Sequence, residues 1–350
     1  MFVITMAAGA SAADTDQAVA AAARTGAGTI VSRGDDRTLI ALFGGALPDL
    51  SGLPGVQDVA DVQAPYPLVA RPSYAERSEV KVGPVTIGPR TFTLIGGPCA
   101  VETHDQTLKS ALMARSAGAV LLRGGAFKPR SSPYDFRGLG EEGLRILADV
   151  RAETGLPVVT ELLDQRDVEL VASYADMLQI GTRNMQNFAL LEAAAETGRP
   201  ILLKRGMGAT VEEWLLAAEY IAHRGNLSVV LCERGIRTFE NSTRNTLDIS
   251  AVVVAQQRSH LPVIVDPSHA GGRRELVVPL VRAAAAVGAD GVIVDVHSSP
   301  ESARCDAAQA LGHAELGLLG EAARDWSRLA GRVTEEQVPA AGRIPAPLAS

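Results

Sequence analysis

The chain has 350 residues, 47% of them hydrophobic, which is typical of a soluble globular protein with one large domain and a small one. Its formal net charge of −7 argues against general binding to nucleic acids or acidic membranes, so any anion site must be a local cluster of cations. No apolar run is long enough to span a membrane, and no cation precedes Arg24, which argues against a signal peptide. Three scattered cysteines are too few for a disulfide framework, and we expect a cytoplasmic protein.

Residues 1–70 predict a small α+β domain. Its expected elements are strands at 2–5, 29–32, 38–43 and 56–62, a helix at 14–24 and a weak helical turn at 48–53. This βαββαβ order is typical of a ferredoxin-like fold. Residues 71–90 are predicted to hold a linker and a short hairpin around Gly83-Pro84.

From residue 91 onward, short apolar runs alternate with amphipathic helical stretches. The runs predict strands at 91–95, 119–123, 157–161, 176–180, 200–204, 228–232, 261–265 and 291–295. Eight β-then-α units predict an α/β protein with a (β/α)8 TIM barrel over residues 91–335, followed by a flexible tail at 336–350. A doubly wound open sheet is the alternative, weakened because no G-x-G-x-x-G follows the first strand.

Charged residues cluster just after the predicted strands, where a barrel carries its catalytic groups. The cations there are Arg123, Lys128, Arg130, Arg183, Lys204 and Arg234. Because like charges repel, cations that meet at one mouth predict one or more bound phosphates. For the segment 128–130 taken alone, a solvated basic loop is the alternative.

A second group combines a thiol, an imidazole and two carboxylates, which suits a divalent transition metal such as Mn, Fe, Co or Zn. Its members are Cys99, His269, Asp295 and Asp306. Their spacing is not a local zinc signature. For Cys99 alone, a role as a small buried hydrophobic residue is the alternative.

Several of these motifs together resemble those of the 3-deoxy-D-arabino-heptulosonate 7-phosphate (DAHP) synthases, in the type Iβ form with an N-terminal ferredoxin-like domain. The motifs are Gly96-Gly97-Pro98-Cys99, the run 122–132, Gln179-Ile180-Gly181-Thr182-Arg183-Asn184, Leu203-Lys204-Arg205-Gly206, Cys232-Glu233-Arg234-Gly235-Ile236-Arg237 and Asp266-Pro267-Ser268-His269. The resemblance covers nearly the whole chain, more loosely over residues 1–70. It implies the metal-dependent condensation of phosphoenolpyruvate with erythrose 4-phosphate, the first step of the shikimate pathway to the aromatic amino acids.

The resemblance also implies roles for individual residues. The family's metal ligands correspond to Cys99, His269, Asp295 and Asp306. Phosphoenolpyruvate would be held by Arg123, Lys128, Arg183, Lys204 and Arg234, and the aldose phosphate by Arg130 and Ser131. Lys128 is the candidate for proton delivery to the aldehyde oxygen, and it forms the expected catalytic group with Cys99 and His269.

Two parts of the sequence depart from the family pattern. Asp295 stands where the family has Glu, and His297-Ser298-Ser299 where it has His-Pro-Glu, which predicts weaker or differently selective metal binding. In the N-terminal domain, Ile30 and Ser32 stand where feedback-inhibited relatives offer His and Ser to an aromatic amino acid. This domain is therefore expected to bind such an effector, to bind a different one, or to serve assembly. Relatives are dimers or tetramers, so a homodimer or homotetramer is expected.

Two alternative functions remain open. One is 3-deoxy-D-manno-octulosonate 8-phosphate synthase, whose corresponding loop has Lys-Ala-Asn-Arg-Ser-Ser in place of Lys128-Pro129-Arg130-Ser131. The other is a catalytically weakened homologue that acts as an amino-acid sensor or partner subunit, which only Asp295 favours. Separately, Cys305 lies next to Asp306 in the sequence, and we hypothesise a reversible disulfide with Cys99.

Overall fold

The computed structural model describes residues 1–50, 52–71, 76–130, 132–329 and 331. Its N-terminal part is an antiparallel four-stranded sheet in the order β2-β3-β1-β4, with helix α1 between β1 and β2. The elements are β1 (Phe2–Met6), α1 (Ala12–Arg24), β2 (Gly28–Arg33), β3 (Thr38–Phe43) and β4 (Val56–Asp61). This strand order is that of the ferredoxin-like fold that the sequence predicts.

The helical turn predicted at 48–53 is wrong for the described part of that segment. Residues 44–50 and 52–55 form bends, turns and chain without regular secondary structure. Gly52 and Gly55 both adopt positive φ, 76° and 75°, a conformation that ends helices. Pro54 between them lacks the amide hydrogen that a helix needs. The sheet is therefore covered by one described helix where the full fold has two.

The remaining chain forms a closed eight-stranded parallel barrel, so the open-sheet alternative is wrong. Its strands are β7 (Thr93–Gly97), β8 (Leu121–Arg123), β9 (Val158–Leu162), β10 (Met177–Ile180), β11 (Ile201–Lys204), β12 (Val229–Glu233), β13 (Val263–Val265) and β14 (Gly291–Asp295). All of their residues are buried, because the strands face side chains inside the barrel and helices outside.

A two-stranded hairpin closes one end of the barrel. It consists of β5 (Val80–Val82) and β6 (Val85–Ile87), as the sequence predicts around residue 83. Val80, Val82, Val85 and Ile87 of the hairpin pack in one buried cluster with barrel residues such as Ile95 and Ile293. The first strand of the barrel follows directly after the hairpin, which therefore covers the amino-terminal ends of the strands. The carboxyl ends are left as the open face.

Helices surround the barrel. They are α2 (His104–Ser116), α3 (Glu141–Thr154), α4 (Val168–Tyr174), α5 (Phe188–Glu196), α6 (Val211–His223), α7 (Ile249–Arg258), α8 (Pro267–Gly271), α9 (Arg274–Ala286) and α10 (His313–Leu329). None of the helices in the described residues has the length and hydropathy of a membrane span. The domain limits at residues 70 and 91 stay predictions, and the tail predicted at 336–350 lies outside the described residues.

The segment before the hairpin is attached to the barrel through a partly buried carboxylate. Glu219 on α6 accepts hydrogen bonds from the backbone N–H groups of Leu68 and Val69, both at 3.0 Å. Ser259 and His260 bind the carbonyls of the same two residues. Burial raises the pKa of Glu219 to about 7, although the two N–H groups oppose this shift.

This shift makes the attachment sensitive to pH. In the unfolded chain Glu219 ionises near pH 4.5, whereas in the folded protein it ionises near pH 7. The unfolded state therefore loses its proton first, and stability falls as the pH rises through this window. We expect the free energy of unfolding of the wild type, relative to that of Glu219→Gln, to decline between about pH 5 and 7 and then level off. Urea unfolding at several pH values measures this, and a constant difference would contradict the assignment.

Candidate active site

The carboxyl ends of the strands surround a cavity of about 180 Å³. The side chains that line it include all six predicted cations: Arg123, Lys128, Arg130, Arg183, Lys204 and Arg234. They come from different strand ends and the loops that follow, so barrel closure is what brings them to one place. Ser131, which the sequence groups with Arg130, lies outside the described residues.

Carboxylates of the protein neutralise three of these cations. The pairs are Arg123–Asp295 at 2.5 Å, Lys204–Asp266 at 2.5 Å and Arg130–Asp135 at 3.0 Å. Repulsion among the six is therefore smaller than their number suggests. Lys128, Arg183 and Arg234 form no ion pair with a carboxylate within the described part of the chain. Three cations without a carboxylate partner make the cavity attractive to anions.

The four predicted metal ligands meet at the wall of this cavity. Their donor atoms, from Cys99, His269, Asp295 and Asp306, all lie within 4.8 Å of one another. Sγ of Cys99 is 3.0 Å from Oδ2 of Asp306 and 3.9 Å from Nε2 of His269. Bonds of about 2.0–2.3 Å to a single ion would place its ligand atoms at such separations. The set therefore fits a divalent transition metal in both geometry and chemistry.

Two glycines permit the close packing on which Cys99 depends. Gly97, at the end of β7, has φ +152°, and a Cβ there would lie 2.1 Å from the carbonyl oxygen of Arg123. A Cβ at Gly125 would lie 2.8 Å from the carbonyl oxygen of Cys99 and 2.7 Å from Cδ of Lys128. A side chain at Gly125 would therefore push Lys128 and Cys99 apart, and one at Gly97 would push β7 away from the end of β8.

The ammonium group of Lys128 points to Cys99. Its Nζ donates to the carbonyl oxygen of Cys99 at 3.0 Å and to Sγ at 3.1 Å. Burial lowers the pKa of Lys128, but the interaction with Cys99 and Cys305 when they ionise outweighs burial and raises the pKa above its usual value. Lys128 is therefore held protonated beside the ligand cluster.

Asp266 fixes the orientation of His269. The backbone N–H of His269 donates to Oδ1 of Asp266 at 2.9 Å, and Nδ1 of the ring lies 3.1 Å from the same oxygen. Burial opposes charge on the imidazole, but Asp266 and then Asp295 raise the pKa of His269 to about 10. With Nδ1 engaged by Asp266, Nε2 points to Asp295 and Asp306, which is the arrangement usual for a metal-binding histidine.

Several residues that shape the site were not predicted as site residues. Asp266 could have been found from the sequence, because it lies three residues before the predicted ligand His269. In the structure it caps the short helix α8, on which His269 lies. No signal marked Arg244 and Gln309 as site residues; they lie in the loops between β12 and α7 and between β14 and α10. The buried pair Arg205–Glu233, at 3.1 Å, was also missed. Glu233 accepts the N–H of Gly235 at 2.7 Å and so fixes the backbone around Arg234.

The positions that depart from the family pattern differ in their placement. Asp295 still reaches the ligand cluster, with Oδ2 3.7 Å from Nε2 of His269. His297 is buried behind the cluster: its Nδ1 accepts the N–H of Ser299 at 3.0 Å and its Nε2 lies 3.5 Å from Oε1 of Glu102. His297 therefore links the loops after β14 and β7 and does not line the cavity.

Cys305 lies beside the ligand thiol, with the two Sγ atoms 3.6 Å apart. NH1 of Arg130 lies 2.8 Å from Sγ of Cys305. A hydrogen bond from Cys99, and then the positive charges of Lys128 and Arg130, lower the pKa of Cys305 although burial raises it. This environment favours the thiolate, which is the form that reacts with oxidants.

We expect mild oxidation of the metal-free protein by hydrogen peroxide to join Cys99 to Cys305, with loss of two protons and two electrons to the peroxide. Metal binding would then disappear and return on reduction, because the ligand thiolate is consumed. Peptide mapping and metal titration before and after dithiothreitol measure this. Cys305→Ser is the matched control and should retain reversible metal binding after the same brief treatment. Failure to find the crosslinked peptide in the wild type would refute the prediction.

A (β/α)8 barrel whose mouth combines unpaired cations with a Cys–His–Asp–Asp cluster defines a class of enzymes that act on anionic substrates beside a divalent metal. The DAHP synthetase I family model matches residues 74–329. The chain belongs to this family, and the resemblance drawn from its motifs is confirmed.

Individual relatives agree with this assignment. A phospho-2-dehydro-3-deoxyheptonate aldolase of Thermotoga maritima is 49% identical over 304 residues, which cover 86% of this chain and 89% of that protein. A crystal structure of the DAHP synthase from the same organism matches with a TM-score of 0.75 and 45% identity, covering 95% of this chain and 98% of that one. A 2-dehydro-3-deoxyphosphooctonate aldolase of Syntrophotalea carbinolica is 35% identical over 251 residues, 66% of this chain and 90% of that protein. The lower identity and coverage of the octulosonate enzyme favour the heptulosonate assignment.

Proposed function

We propose that the protein condenses phosphoenolpyruvate with erythrose 4-phosphate to give DAHP and inorganic phosphate, with a divalent transition metal bound by Cys99, His269, Asp295 and Asp306. The observation that carries the proposal is a single cavity in which six cations meet beside this ligand cluster. Two phosphorylated substrates need such a concentration of positive charge, and a carbonyl group that must be activated needs the adjacent metal. Membership of the DAHP synthetase I family and the 49% identity to a phospho-2-dehydro-3-deoxyheptonate aldolase support the same reaction.

The base of the cavity suits phosphoenolpyruvate. Arg123, Lys204 and Arg234 are each less than 6% exposed, so they offer their donors from walls that exclude water. Charge-assisted hydrogen bonds are stronger in such surroundings. We assign the carboxylate and phosphate of phosphoenolpyruvate to these three residues together with Lys128 and Arg183.

The chain's own residues then serve each stage of the reaction. Held by the cations, C3 of the enol attacks the aldehyde carbon, and Lys128 delivers a proton to the aldehyde oxygen. Water adds at C2 and the phosphate group leaves, while Arg183 and Arg234 stabilise the charge that develops on it. When bound, the divalent metal supplies Lewis acidity that polarises the aldehyde carbonyl. Asp266 contributes by keeping His269 and Lys204 in place.

Assembly and regulation form a second part of the proposal. We infer self-association as a homodimer or homotetramer, as the resemblance of the motifs to those of the DAHP synthases implies. For the N-terminal domain we favour a role in assembly over an aromatic effector bound at Ser32. Ser32 is fully buried, and its strand β2 packs against α6 of the barrel, which leaves no surface there for a ligand.

The proposal is tested by measuring phosphate release by the purified protein after chelation and addition of Mn²⁺, Fe²⁺, Co²⁺ or Zn²⁺ in turn. We expect turnover only when phosphoenolpyruvate, erythrose 4-phosphate and a metal are all present. Turnover with arabinose 5-phosphate but not erythrose 4-phosphate would favour the octulosonate enzyme. No turnover with either aldose, under any metal, would favour the sensor or partner subunit.

Arg130 separates the two substrates in this scheme. It lies at the rim, where its side chain is 23% exposed and pairs with Asp135. We expect Arg130→Met to raise KM for erythrose 4-phosphate about 10- to 100-fold, because a charge-assisted hydrogen bond is worth about 1.5–3 kcal/mol. KM for phosphoenolpyruvate should change little.

The matched control is Arg166→Met, which removes an exposed arginine that also pairs with an aspartate, Asp164, outside the cavity. Steady-state kinetics with each substrate varied in turn measure both variants. An equal rise in the two KM values of Arg130→Met would show that Arg130 does not select the aldose phosphate.

A further inference from the structure

Asp295 is held by a different partner at each of its two oxygens. Oδ1 accepts from NH1 of Arg123 at 2.5 Å, and Oδ2 accepts from Nε2 of Gln309 at 2.6 Å. Oδ2 is also the oxygen that lies 3.7 Å from Nε2 of His269. Asp295, Arg123 and Gln309 are all at most 3% exposed, so water does not compete for these contacts.

The orientation of the Gln309 amide is fixed from its other side. Oε1 of Gln309 accepts from NH1 of Arg244 at 3.0 Å. A guanidinium group has only donors, so the amide must turn its oxygen to Arg244 and its NH2 group to Asp295. Arg244 thus ensures that Gln309 presents a donor to the carboxylate.

Arg123 could bind both oxygens of Asp295, and this arrangement would compete with the position of Oδ2 in the ligand cluster. A guanidinium fork commonly binds both oxygens of one carboxylate, and here Arg123 contacts Oδ1. If Oδ2 turned to the same fork, it would leave the ligand cluster. The aspartate side chain is one methylene shorter than glutamate, so it has less freedom to satisfy Arg123 and the cluster together. The contact from Gln309 resists this turn.

Resting on the metal site proposed above, we propose that Gln309 is a positioning residue that keeps Oδ2 of Asp295 in the ligand cluster, and that Arg244 sets the direction of its amide. NH1 of Arg244 also donates to Oδ1 of Asp306 at 3.0 Å. Asp306 has a positive φ of 53°, so its backbone lies in the left-handed region. One guanidinium group therefore steadies both carboxylate ligands, Asp306 directly and Asp295 through Gln309.

The test is the metal affinity of the full-length protein after chelation, measured by titration with Mn²⁺ against a competing chelator. We expect Gln309→Asn, whose amide is one methylene too short to span Arg244 and Asp295, to weaken binding about 10- to 100-fold, as is usual when support of a metal ligand is lost. The control Gln256→Asn makes the same change at a residue on α7 that donates to the carbonyl of Gly288, and it should leave affinity unchanged.

A second background shows whether Gln309 acts through Asp295. In Asp295→Glu the longer carboxylate reaches further, so the same Gln309→Asn change should cost a several-fold smaller loss of affinity. The absorption of the Co²⁺-loaded variants in the thiolate charge-transfer region reports whether Cys99 still binds the ion. If Gln309→Asn does not fold by circular dichroism, Gln309→Met is taken through the same two backgrounds.

The outcomes separate this inference from the proposed function. A wild type that binds none of the metals would refute the metal site itself. A wild type that binds Mn²⁺ while the Gln309 variants bind equally well would refute the positioning role alone. An identical loss in the Asp295 and Asp295→Glu backgrounds would also overturn it, because Gln309 would then act independently of that carboxylate.

Discussion

The buried ion pair between Arg123 and Asp295 is the interaction on which the rest of the site depends. The two side chains extend from β8 and β14, the strands on either side of β7. At the end of β7, Gly97 leaves room for the backbone carbonyl of Arg123, from which a Cβ would be only 2.1 Å away. Arg123 belongs to the cations and Asp295 to the ligand cluster, so this pair joins the two halves of the site. Removing one partner of such a pair costs about 3–5 kcal/mol, because the other is left buried and uncompensated.

The barrel could be predicted because of its burial pattern. Strands that are covered on both faces are continuous apolar runs, and each of the eight lay within two residues of its observed start. The prediction of a helical turn at 48–53 failed for a local reason. Its apolar residues suggested a helix, but the glycines and Pro54 determine the backbone conformation there. Helix α7 begins at Ile249, because Asp248 caps it by accepting the N–H of Ala251.

The residues that make up the candidate site could be predicted better than the contacts between them. Barrel geometry brings the ends of all strands together, so residues that follow strands are expected to meet. Which cation pairs with which carboxylate depends on side-chain directions that spacing does not reveal, as Lys204 and Asp266 illustrate. The contribution of Gln309 depends on a loop whose path turns at the left-handed residue Asp306, and no periodic pattern marks such a turn.

The hairpin β5–β6 determines how reactants and products can reach and leave the cavity. Since its apolar side chains occupy the far end of the barrel, reactants enter and products leave by the same opening. Arg123 and Lys204 lie at the bottom of that opening, and Arg130 lies at its edge. A molecule seated at the edge would obstruct the passage to the bottom. If the substrates bind as proposed above, the compound bound by the deep cations would have to enter first, and the one held at the edge would follow it.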